Sequence, residues 1–219
     1  RSSIRGSVDT EVAATLRRPP ITTVAGGAVL LGGALAALSG LVQAWMTITG
    51  RYLFVSGGAD PRKPVVDLPQ LLQAEVREGH SMFLEDVPAA LRVLAATPSL
   101  LAATTFLVAA FLLARVIRSI AAGEAFGARV RSSLTWLSAT LLVGGLLQGA
   151  VDTAAGAALW NWFPRATDLG GSHELAIAGL GLDAPHWPVM IVVLGLVASV
   201  MALAFRQGAR LQAETDGLV

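Results

Sequence analysis

Four stretches of this chain carry no charged side chain, and each is long enough to cross a bilayer. Pro19 to Gly50 runs for 32 residues, Val93 to Ala114 and Ala184 to Phe205 for 22 each, and Ser132 to Val151 for 20. A helix rising about 1.5 Å per residue needs about 20 apolar residues to span the hydrocarbon core. Water is absent there, so every backbone amide and carbonyl must be satisfied within the segment, which selects helices. The pattern therefore predicts an all-α integral membrane protein with four transmembrane helices. Charged residues make up only 14% of the 219 residues, against about 25% in soluble domains, as lipid-facing surfaces allow.

Charge distribution predicts the orientation. With both termini in the cytoplasm, Arg1, Arg5, Arg17, Arg18, Arg115, Arg118, Arg129, Arg131, Arg206 and Arg210 lie inside, and six basic residues lie outside. Cytoplasmic loops carry the Lys/Arg excess, and short loops weigh most. Four of the ten inner arginines flank the short turn between the second and third helices. The expected order is a cytoplasmic arm over 1–18, helix one over 19–49 and an extracytoplasmic cap over 50–96. Helix two follows over 97–122, a cytoplasmic turn over 123–128 and helix three over 129–160. A second outer loop over 161–186, helix four over 187–208 and a cytoplasmic tail over 209–219 complete it. Trp45, Trp160, Trp162 and Trp187 fall near the proposed outer boundary and Trp136 near the inner one, where amphipathic rings settle.

Local signals fill in the frame. Ala28, Gly32, Ala36 and Gly40 recur every four residues, a small-residue stripe suited to close helix approach. Tyr52 to Val55 and Val65 to Val66 flank a Ser-Gly-Gly-Ala-Asp-Pro turn and are expected to pair as a hairpin. Asp67 reads as a helix cap with Pro69 in the first turn. Pro88 to Ala96 reads as a short interfacial helix, with Thr97 and Pro98 restarting the chain as helix two.

Candidate functional residues are few. On helix three, Gly145, Gln148, Gly149, Asp152 and Gly156 recur at spacings of three and four and share one face. Polar groups at membrane depth face a bundle or a cavity, so this stripe is either a packing surface or a polar pathway, and packing is the favoured reading. Asp152 falls near the outer interface. Arg115, Arg118, Arg129 and Arg131 form a basic inner turn, whose default partners are membrane lipids and whose sharper alternative is a cytoplasmic docking surface. His80, His173 and His186 all fall outside and are weak metal candidates without ligand spacing. Cysteine is absent, which excludes disulfides and thiolate chemistry. No phosphate-binding loop, His-Glu-x-x-His or Gly-x-Ser-x-Gly occurs, so the expectation is a protein that is not an enzyme, with no cofactor and no direct nucleic-acid partner.

Two segments carry a family resemblance. Ile120-Ala-Ala-Gly-Glu-Ala-Phe126 followed by Arg129-Val-Arg-Ser-Ser-Leu134 is similar to the inner hairpin of a bacterial membrane family, domain-of-unknown-function family 2975. The end, Ala202-Leu-Ala-Phe-Arg206 through Val219, resembles the same family's tail. The chain departs from the pattern at Ala125, where a proline is expected, and at Ala204-Phe205, where an acidic residue is common. The resemblance implies four helices with a long first outer loop and a bacterial cytoplasmic membrane. It also implies a small helix-turn-helix regulator as neighbour and partner, and it brings no catalytic residues. The expected function is a sensor or regulatory protein that couples the outer cap to a cytoplasmic partner. The alternatives are a small transporter or channel subunit using the helix-three stripe, or a structural subunit of a membrane complex, including a homo-oligomer.

Overall fold

A computed structural model of the chain describes residues 21–54, 59–71, 74–76, 82–124, 127–167, 175–177 and 187–216. Its long elements are four helices, α1 (Ile21–Thr49), α2 (Ala89–Ala121), α3 (Ala128–Thr167) and α4 (Val189–Asp216). All four are long and apolar enough to cross a membrane. Two three-residue strands, β1 (Ala74–Val76) and β2 (Leu175–Ile177), pair antiparallel with Glu75 opposite Ala176. They tie the first inter-helix loop to the last, a link absent from the all-α expectation.

Extensive helix contact joins only chain neighbours, α1 with α2, α2 with α3 and α3 with α4. Small residues set the spacing. Along α1 the side facing α2 runs through Gly33, Ala37, Gly40 and Ala44. A methyl group at Gly40 would lie 2.8 Å from the Ser99 carbonyl oxygen and 3.0 Å from Ala103 Cβ, and one at Gly33 would overlap Ala110. The expected stripe is therefore displaced: Gly40 belongs to the seam, but Ala28 is exposed and Gly32 faces open space. Strict steps of four advance about 40° each around a 3.6-residue helix, whereas alternating steps of four and three hold one face.

Between α2 and α3, Gly144 accepts the Thr105 side chain. Adjacent Gly145 accepts Ile191 and Val192 of α4, so two neighbouring glycines serve two neighbouring helices. Gly195 returns the contact, receiving Leu142, and Ser138 and Ser199 share a hydrogen bond across the α3–α4 interface. Val116, Val130, Leu134, Leu137, Leu141, Ile191 and Ala198 form the buried core toward the α2–α3 turn.

Helix two corrects the sequence reading. Pro98 lies inside a continuous α2 that begins at Ala89, with no separate interfacial helix before it. Proline removes its own amide bond and strains the preceding turn. Here Ala95, Ala96 and Pro98 are all buried, so tertiary packing holds the turn together. α3 and α4 outrun their expected ends, reaching Thr167 and Asp216, while α1 ends at Thr49 as expected.

The described residues between α1 and α2 form a cap with its own buried core. Gly50 has a positive φ of 73° that turns the chain out of α1, and any Cβ there would sit 2.9 Å from the Glu85 amide. Arg51 bridges Arg62, Lys63 donates its amide to the Gly50 carbonyl at 2.7 Å, and Pro64 bridges Phe83. The pairing thus falls at 51 with 62 rather than at the expected Val65, whose amide instead donates to Met82. Nor does Asp67 begin an α-helix. Val65–Asp67 and Pro69–Leu71 are single 3-10 turns that aim Val65, Leu68 and Leu71 inward.

Candidate functional site

The cap core is where the loop becomes part of the helices. Val65, Leu68, Leu71, Met82, Leu84 and Val87 cluster with Ala95 of α2 and Leu159 of α3, and Leu91, Trp160 and Trp162 pack against them. Leu68 and Leu84 have no solvent exposure and Leu159 only 1%. Trp160 and Trp162 thus serve the cap, while Trp45 and Trp136 are exposed on the helix surface.

A polar junction lies beside this core. Gln70, on the second 3-10 turn, donates through Nε2 to Asp152 Oδ1 at 2.6 Å and to the Ala95 carbonyl at 3.4 Å. One side chain therefore links the cap to α2 and α3. Gly156, one turn beyond Asp152, lies beside Gln70, whose Cβ is 3.8 Å from where a methyl would sit, an ordinary contact distance. Among the described residues, Gln70 Oε1, Gln148 Oε1 and Arg92 Nε are buried without a hydrogen-bond partner. Unsatisfied buried polar atoms cost about 1–3 kcal/mol each, so this region is less firmly held than the apolar core around it.

The five residues singled out on α3 meet two neighbours. Gly145 packs on α4 and Gly149 against the Trp187 ring just before that helix, Gln148 lies between these two glycines along α3, and Asp152 and Gly156 meet Gln70. Gln70 itself was not legible in the sequence. The only hint was a polar side chain inside Leu68-Pro-Gln-Leu-Leu72, a pattern common on solvated surfaces.

The rest of the cap carries charge. Arg51 pairs with Glu85, and Arg62 pairs with Asp60 at 2.6 Å while stacking 4.0 Å over the Phe83 ring. The Arg62 guanidinium holds the Asp60 carboxyl below its usual range. Lys63 is 2% exposed with no hydrogen-bond partner for its amine among the described residues, and burial pushes its pKa down, partly opposed by the Asp67 charge. Tyr52 donates to Asp67, and burial, then that bond, then the carboxylate charge push its pKa up to about 12.

These two groups give opposite pH effects. The folded chain keeps the Tyr52 proton between about 10 and 12 while the unfolded chain loses it, so Tyr52 stabilisation is lost as pH rises through that window. Lys63 is lowered from 10.5, so its contribution is complete above that value and declines as pH falls toward the lowered pKa. Tyr52 is the only tyrosine, so tyrosinate absorbance reads it alone. Titration of the folded protein should give a midpoint near 12, and Asp67→Asn should bring it down toward 10. A wild-type midpoint of 10 would contradict the Tyr52–Asp67 contact.

At the opposite end, Arg115, Arg118 and Arg129 are exposed, Arg131 is half-buried, and Arg129 lies 3.7 Å from Glu124. Gly123, with φ of 82°, turns the chain after α2. His80, His173 and His186 lie outside the described residues, and among the described residues no three His, Asp or Glu side chains gather as a metal site.

The family model described as Protein of unknown function (DUF2975) matches residues 83–219, and the chain belongs to that family. The match begins at Phe83, so Asp152 falls inside it while Gln70 and Lys63 precede it. No curated protein and no solved structure matches the chain.

Proposed function

We propose that this protein is a non-enzymatic membrane sensor or regulator, in which the state of the cap is passed through α2 and α3 to the turn that joins them. The supporting observation is the Gln70 contact, which bonds the cap to α3 at Asp152 and to α2 at Ala95. A loop that merely connected two helices would need neither a buried core nor this bridge. Both bridged helices run from the cap to the Arg115–Arg131 turn, so a shift of one against the other at the cap end changes the turn. The arginine excess supports a cytoplasmic turn, which on this reading presents a basic surface to a regulator of the helix-turn-helix kind.

Replacing the gene by its Gln70→Leu version should reproduce the phenotype of deleting it, at normal levels of membrane-inserted protein. Wild-type behaviour of that strain, and of one lacking Asp60 to Glu85, would overturn the reading. The transport alternative is less favoured because Asp152 is engaged by the cap while Gly145 is covered by α4 and Gly149 by Trp187.

A further inference from the structure

At the end of the molecule away from the cap, the start of α1 and the last turns of α2 leave a groove of about 280 Å³. It is lined by Thr22, Thr23, Gly26, Gly27, Leu30, Ala114, Arg118 and Ala121. Two glycines keep it open, since a methyl group at Gly26 or Gly27 would meet nothing within 4 Å. The Arg118 Nε donates to the Ala114 carbonyl at 3.3 Å, which holds the exposed guanidinium at the groove and leaves its terminal nitrogens without a partner among the described residues. Polar and apolar linings are segregated along α1. The Thr22 and Thr23 hydroxyls sit at the helix start, and Leu30 lies eight residues on, about 12 Å deeper at 1.5 Å per residue.

We infer that this groove binds an anionic phospholipid, with its phosphate on Arg118 and one acyl chain along Gly26, Gly27 and Leu30. A cationic fork that lines the same groove as two threonines matches a phosphate diester. The apolar remainder runs along a membrane-spanning helix, so the occupant carries a hydrocarbon chain, which a free phosphate lacks. Basic pockets between spanning helices take anionic headgroups by this combination. The volume, near the lower end of ligand pockets, suits a headgroup and the upper part of one chain. This site is separate from the cap and does not depend on the sensor reading.

The test is lipid binding by the purified full chain in neutral detergent, read by native mass spectrometry and by thermal stability. Phosphatidylglycerol, phosphatidylcholine and inorganic phosphate are the three probes. Phosphatidylglycerol should bind and stabilise, while phosphatidylcholine and inorganic phosphate at equal concentration should not. Arg118→Gln should weaken phosphatidylglycerol binding at least tenfold. Gly26→Leu, which fills the groove without touching a charge, should abolish it, and Arg115→Gln, outside the groove, should leave it within twofold. Equal binding of both lipids, equal losses in all three variants, or saturation by inorganic phosphate alone would each overturn the inference.

Discussion

Gly40→Val should destabilise the folded protein by about 3 kcal/mol, near the upper end for an overpacked contact, whereas Gly32→Val should change it by less than about 0.5 kcal/mol. The difference follows from what each new Cβ would meet. At Gly40 it would meet the Ser99 carbonyl oxygen at 2.8 Å and Ala103 Cβ at 3.0 Å, and a backbone carbonyl inside a packed helix cannot swing aside. At Gly32 it would meet nothing within 4 Å. Without a hydrophobic force between helices in lipid, α1 is held to α2 mainly by close van der Waals packing, so separating the seam removes most of what holds it. Thermal unfolding of both variants in the same detergent is the check. Equal losses in the two would place the seam wrongly.

Leu159→Ala should cost about 2–5 kcal/mol, the range for truncating a buried leucine. The loss should be felt in a segment far away in sequence. Leu159 belongs to α3 but is buried in the cap core with Leu68, Leu84 and Val87. Its removal should accelerate hydrogen exchange at the Val65 and Leu84 amides, which are bonded to the Met82 and Lys63 carbonyls. The exposed Leu147 on the same helix supplies the control, with Leu147→Ala leaving those amides protected. Unchanged exchange at Val65 and Leu84 in Leu159→Ala would show that the cap does not rest on α3.

The four helices were legible because a spanning helix writes itself as an uninterrupted apolar run, and charge-free stretches of 20 residues or more have few other readings. Family membership was legible from the turn around Gly123 to Phe126 and from the tail, both within the matched region. The cap was not. Its core draws on Val65, Leu71, Leu84, Ala95 and Leu159, which share no period, and single 3-10 turns leave no repeating signature. The Gln70–Asp152 bond spans 82 residues, beyond any local pattern. At Pro98 a rule about isolated helices was overridden by burial, and on α1 a stripe counted in fours missed the seam because helices turn in steps of 3.6.

The central claim, that the cap and the α2–α3 turn are mechanically linked, is tested most directly by hydrogen exchange of residues 115–131 in lipid nanodiscs, comparing wild type with Gln70→Leu. Gln70 lies at the far end of both helices from that turn, so the substitution touches none of the amides being read. If the account holds, exchange in the turn changes along with exchange in the cap. Faster exchange confined to the cap, with residues 115–131 as protected as in wild type, would contradict it.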